Sequence, residues 1–123
     1  MDLIYKVEFY KLVGICMEVH RELGPGFSEV IYKDALEIEF KNHNIPYVRE
    51  KEFFGKYKQY PLKRKYNVDF IAYDAIVLEA KAVRTLIEDF VGITVNYLKV
   101  SGCRLALLGN FGERSFKYRR IIV

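Results

Sequence analysis

Tryptophan is absent from the 123 residues, cysteine occurs twice and proline three times. Without Trp, the aromatic packing of an interior falls to ten Tyr and nine Phe. Two cysteines build no disulfide framework. Cys16 and Cys103 sit in apolar segments without metal-ligand spacing, so both are expected to be buried free thiols. No repeat, low-complexity tract or linker interrupts the chain. No apolar run approaches the roughly 20 residues that cross a bilayer. The start at Met1-Asp2-Leu3-Ile4 lacks the basic segment and apolar run of a secretory signal. A cytoplasmic protein with no membrane partner is the expectation. Also missing are a Gly-rich phosphate loop followed by Lys-Ser/Thr, a dinucleotide fingerprint and a nucleophile elbow. Gly24-Pro25-Gly26 breaks a helix and is no phosphate cradle.

What is present suffices for one folded domain over residues 1–123. Hydrophobic residues make up 51% and charged residues 29%, enough to bury a core and stay soluble. The net charge of +4, with a pI near 9.0, is compatible with a polyanionic partner but does not demand one.

Leu3, Val7, Tyr10, Val13, Met17 and His20/Leu23 recur in steps of three and four, which predicts an amphipathic helix to Leu23. Ser28 is placed to cap a second helix through about Asn42, with Val30, Ile31, Leu36, Ile38 and Phe40 as its apolar residues. From Tyr47 the texture shifts to short alternating runs. Strands are predicted over Val48–Phe54, Tyr66–Tyr73 and Ile76–Ala82, with Gln59–Leu62 either a strand or a loop broken by Pro61. Thr85 is the expected cap of a third helix to about Val100, ended by Gly102. Leu105–Leu108 reads as a buried strand, Gly109–Gly112 as a turn and Tyr118–Val123 as a last strand. This order predicts an α/β fold, a mixed sheet flanked by helices.

The two central strands carry the chemistry. Folded about residue 74, they set Asp69 opposite Glu79; a two-residue turn would shift that pairing by one. Opposed residues have Cβ atoms about 4.5–5.5 Å apart, where like charges destabilise. Either solvent screens the pair, or a divalent cation sits between the two carboxylates. Mg²⁺ favours such a set completed by waters and phosphate oxygens. Lys81 follows on the same strand face, about 6.6 Å further along. It either neutralises the acids as a plain ion pair or positions water and stabilises transition-state charge.

Asp69, nine residues, then Glu79-Ala80-Lys81 on a hairpin resembles the catalytic motif of the PD-(D/E)XK nuclease superfamily. The stretch from Val19 through Gly24-Pro25-Gly26-Phe27-Ser28-Glu29 to Tyr32 resembles the signature of the GxxExxY family, whose named positions fall on Gly26, Glu29 and Tyr32. Asn96-Tyr97-Leu98-Lys99 and Leu107-Leu108-Gly109-Asn110-Phe111-Gly112 look like the same family. The resemblance implies a restriction-endonuclease-like fold and a Mg²⁺- or Mn²⁺-dependent phosphodiesterase. It makes Asp69, Glu79 and Glu29 the metal ligands and Lys81 a catalytic partner. His20, Tyr32 and Tyr97 would support the site. Against this, Glu29 also suits the first turn of its helix simply as a charge on the dipole, and His20 suits a satisfied, half-buried ring. One position departs from the family: where a Gln usually precedes Asn-Tyr-Leu by three residues, this chain has Ile93. Ile makes no hydrogen bond, which points toward weakened catalysis.

Lys56, Lys58, Lys63, Arg64 and Lys65, interleaved with tyrosines, lead into the strand of Asp69. Lys and Arg neutralise phosphates and Tyr stacks on bases, so this stretch is the expected contact for nucleic acid, DNA first. The competing account is an edge strand that uses Lys against aggregation. Arg114, Lys117, Arg119 and Arg120 form a second basic cluster or mere solvated surface. The rival to a nuclease is a non-catalytic binding or interaction module on the same fold.

Overall fold

The computed structural model describes residues 4–123; the expected apolar position at Leu3 lies outside them. Helix α1 (Lys6–Leu23) ends where Gly24 takes a left-handed φ of 69°, which a Cβ would oppose. Its buried face is Phe9, Leu12, Val13, Cys16, Val19 and His20, and this corrects the predicted stripe. Val7, Tyr10 and Met17 are exposed. Val13 and His20 are shared by the predicted and the observed stripe; docking onto the sheet rotates the buried face about them toward Leu12, Cys16 and Val19.

Helix α2 (Glu29–Asn42) starts after Ser28, whose side chain makes no capping bond. It buries Tyr32, Leu36 and Phe40, a ridge spaced i, i+4, i+8, while the expected Val30, Ile31 and Ile38 face outward.

Strands β1 (Tyr47–Tyr57), β2 (Tyr60–Ala72), β3 (Ile76–Lys81), β4 (Leu105–Asn110) and β5 (Lys117–Ile122) form one sheet in sequence order. All neighbours are antiparallel except β3 and β4, which are parallel. A parallel pair needs a crossover, and α3 (Glu88–Ser101) supplies it. Thr85 does not cap α3: the helix starts three residues later, after Ile87, and ends at Gly102 as expected. Residues 82–87 stay non-helical because Asn110 takes both the N–H and the C=O of Val83.

Strands β3 and β4 lie at the centre and are buried on both faces, which is why they read as near-continuous apolar runs. On one face, α1 and α2 cover Phe70, Ile76, Leu78, Leu105 and Leu107. On the other, α3 covers Val68, Val77, Ala106 and Leu108. The α/β mixed sheet flanked by helices is the predicted fold. The stretch Gln59–Leu62 belongs to β2, which runs unbroken through Pro61. Beyond the reach of β3, β2 pairs only with β1, and Pro61 turns its missing donor to the free side. Cys16 is buried as expected, whereas Cys103 is only partly covered. Among the described residues no helix is long and apolar enough to cross a membrane.

Candidate active site

The β2–β3 hairpin pairs Ala72 with Ile76, Ile71 with Val77 and Phe70 with Leu78, a register centred on Asp74. Tyr73 and Asp74 both adopt positive φ, which closes the turn. Continued by one residue, the register sets Asp69 against Glu79, as the sequence predicts. Here the regular ladder gives way to side chains. The Asp69 N–H donates to Oε1 of Glu79 at 2.9 Å, and the Ala80 N–H donates to Oδ2 of Asp69 at 2.9 Å.

Glu79 is only 4% exposed and has no ion-pair partner among the described residues. Burial, then the negative charge of Asp69, pushes its carboxyl well above the usual range; the Asp69 N–H and Lys81 oppose this without reversing it. Two carboxylates so close lack a shared counter-charge, and their hard oxygen donors fit a divalent cation. Asp69 and Glu79 are therefore the residues that would hold one.

Lys81 is half-buried, with its amine 4.9 Å from the centre of the Phe90 ring on α3. It forms no ion pair among the described residues, so the plain Glu79–Lys81 or Asp69–Lys81 bridge is not what the strand builds. The cation on Asp69 is instead Lys33 of α2, with Nζ 3.0 Å from Oδ1. Lys33 also pairs with Glu50 of β1. Burial alone would lower the Lys33 pKa, but hydrogen bonds and charge from Glu50 and Asp69 outweigh it and raise it. Lys33 and Glu50 escape sequence reasoning. The available signals are that Lys33 is one turn from Glu29, and that the β1–β2 register sets Glu50 across from Asp69.

Glu29 stands in the first turn of α2 and makes no ion pair among the described residues. No group of three or more acidic, His or Cys side chains arranged for a metal occurs among those residues. The structure thus joins Asp69 to Glu79 and does not add Glu29. Tyr97 of α3 does lie beside the pair: burial first, then the charges of Glu79 and Asp69, raises its hydroxyl pKa. Its ring meets Tyr66 edge-on at 6.2 Å. Ile93 is 42% exposed, on the α3 face between Phe90 and Tyr97.

Two expected supporters make contacts within the framework. The Tyr32 hydroxyl donates to the Gly24 carbonyl at 2.5 Å and accepts from the Phe27 N–H at 3.3 Å. Its ring stacks on Phe111 at 4.7 Å, so it clamps the loop in which Gly26 takes φ 114°. His20 is buried with Nε2 2.8 Å from the Glu113 carbonyl. That contact gives one ring nitrogen a partner. Asn110, part of the family-like run in the sequence, is fully buried at the end of β4 and bonds Val83, Gly112 and Glu113, fixing the chain just after Lys81.

Lys56, Lys58, Lys63, Arg64 and Lys65 are all exposed on the distal β1–β2 ribbon. Lys65 faces Glu52 at 3.5 Å, while Arg64 lies over Tyr66 and Lys58 over Tyr57. The C-terminal basic cluster is divided: Arg119 pairs with Glu88, and Arg120 lies over Phe9. A cleft of about 580 Å³ lined by Tyr5, Phe53, Asp74 and Cys103 lies at the opposite end of β3 and contains none of the acidic pair.

No curated protein and no solved structure matches the chain significantly. A protein-family match does, and it spans residues 6–121, from the start of α1 to β5. That family consists of nucleases that generally use divalent metals. With that match covering nearly its whole length, the chain belongs to the PD-(D/E)XK nuclease superfamily.

Proposed function

We propose that this protein is a Mg²⁺- or Mn²⁺-dependent nuclease that hydrolyses phosphodiester bonds in nucleic acid, with DNA the first substrate to test. The observation that carries this reading is the buried Glu79 carboxylate beside Asp69, without a cation of its own. Asp69 and Glu79 would hold the metal. A divalent cation there supplies Lewis acidity toward a phosphate and toward water. Lys81, free of ion pairs among the described residues, orients the attacking water or neutralises charge developing on the phosphate. Glu29 shares a face of α2 with Lys33, one turn away, and is the supporting acid. Tyr97 lines the site from α3. The ribbon residues Lys56, Lys58, Lys63, Arg64 and Lys65 bind the phosphate backbone without reading sequence. Gly26, Glu29 and Tyr32 support the finer assignment to the GxxExxY branch.

The deciding experiment is cleavage of labelled single- and double-stranded DNA and RNA with Mg²⁺, Mn²⁺ or EDTA, for wild type and Lys81→Ala. Metal-dependent cutting that disappears in the variant supports the nuclease and names its substrate.

Ile93 favours a second reading, a nuclease-fold domain that binds nucleic acid or protein without cutting. A folded wild type that cuts nothing, and whose melting temperature is unmoved by millimolar Mg²⁺ or Mn²⁺, would establish that reading instead.

A further inference from the structure

Both carboxylate oxygens of Asp69 are already engaged. Oδ2 accepts from the Ala80 N–H and Oδ1 from the Lys33 ammonium. The Lys33 side chain is 12% exposed and reaches Glu50 as well. Glu50 has φ 58°, a left-handed backbone that non-Gly residues adopt at a strain and that clusters at functional sites. Its neighbours Arg49 and Lys51 pair with Phe70 and Val68, so Glu50 lies across from Asp69. Glu50, Asp69 and Glu79 therefore form a row of acids over three adjacent strands, with one ammonium in the first gap and none in the second. The position of Lys33 is fixed from outside. Arg49 holds the next turn of α2 through Asp34 at 2.8 Å and Glu37 at 3.0 Å.

A divalent cation on Asp69 meets Lys33 at the same carboxylate, where the two cations repel. Glu50 offers the ammonium a second acceptor that it need not leave. We propose that Lys33 is an internal counter-cation of this acidic row, displaced from Asp69 onto Glu50 when a divalent metal binds. The inference rests on the metal-dependent reading of Asp69 and Glu79. It makes Lys33 a residue that sets metal affinity and offsets part of the charge of the row before metal arrives.

Direct Mn²⁺ binding, read from the free-ion paramagnetic resonance signal, tests this without reference to cleavage. Lys33→Met keeps the apolar stem and removes the charge, and should tighten Mn²⁺ binding by about tenfold or more. Lys33→Arg should bind much as wild type does. Glu50→Gln should weaken binding, because the displaced ammonium loses its acceptor, and the same change should have no effect in the Lys33→Met background. Circular dichroism establishes which variants fold; if Lys33→Met does not, Lys33→Gln, which also removes the charge, takes its place in the comparison. Asp69→Asn separates the two hypotheses. If it abolishes Mn²⁺ binding in wild type while Lys33→Met binds equally or more weakly, the counter-cation role alone is overturned. If neither protein shows binding that depends on Asp69, the metal reading falls and this inference falls with it.

Discussion

The backbone N–H of Asp69 donates to the side chain of Glu79, and the side chain of Asp69 accepts from the N–H following Glu79, both at 2.9 Å. Each acid thus replaces a rung of the β-ladder that its neighbour would otherwise complete. Both carboxylates are oriented by backbone, which leaves little rotamer freedom to lose when a ligand binds. Preorganisation of this kind is what electrostatic catalysis requires.

Lys81 contributes charge and little else to the fold. Its contact with Phe90 is worth about 0.5–1 kcal/mol, so Lys81→Ala should melt close to wild type. Cleavage should fall by about 10²-fold or more. A variant that is fully active, or that fails to fold, refutes the assignment.

The acidic pair makes stability depend on pH. Burial and Asp69 raise the native pKa of Glu79 above its ordinary value of 4.5. Below that value the carboxyl is protonated in both folded and unfolded chains. As pH rises past 4.5, the unfolded chain loses the proton first, the folded chain holds more protons, and stability falls until native Glu79 ionises. Glu79→Gln never ionises and keeps the acceptor for the Asp69 N–H. Its melting temperature in EDTA should exceed that of wild type by a margin larger at neutral pH than at pH 4. A margin constant across that range would show that Glu79 is not the group responsible.

The hairpin was legible because its register follows from a turn centred on one residue, Asp74, with alternation on either side. Helix faces were less so. The apolar arc of α1 is wide, and which part of it is buried depends on how the helix docks on the sheet. Lys33 was invisible for a related reason: it meets Asp69 and Glu50 only after α2 has docked on the sheet, a long-range event that local spacing does not encode. Thr85 has good cap chemistry, but a cap is worth about 1 kcal/mol, and the two bonds from Asn110 to Val83 hold the chain out of the helix there.

The family-like run Leu107–Gly112 has a packing explanation that tests simply. A Cβ on Gly112 would sit 2.4 Å from the Val83 carbonyl oxygen and 2.5 Å from its nitrogen. The atoms it would meet are backbone of Ala82 and Val83, which cannot yield cheaply. Gly112→Ala should destabilise by about 3 kcal/mol, lowering the midpoint by about 10 °C. Thermal melts followed by circular dichroism decide it, and an unchanged midpoint would mean that the turn after β4 is loosely packed.

On the ribbon, Lys56, Lys58 and Lys63 are exposed and form no ion pair among the described residues. Replacing all three with Ala should lower the slope of log affinity against log salt by about 3, near one per lost phosphate contact on a duplex. Fluorescence anisotropy over a KCl series provides the measurement. An unchanged slope would favour the edge-protection role of these lysines.

Ile93 stands where the resemblance to the GxxExxY family would put a Gln, and its setting makes that change cheap. It is half-exposed on α3, between Phe90 under Lys81 and Tyr97 beside the acidic pair, so Ile93→Gln opens no cavity in the core. An exposed substitution of this kind shifts stability by about 0.5 kcal/mol or less. The amide would bring a donor and an acceptor to the face of α3 that otherwise offers the site only a phenol and apolar rings. Metal-dependent cleavage should rise by about tenfold, the scale of one added hydrogen bond to a charged group. If the rate is the same in both proteins while Lys81→Ala still abolishes it, the present site is complete without the Gln, and Tyr97 becomes the polar group of α3 to test next.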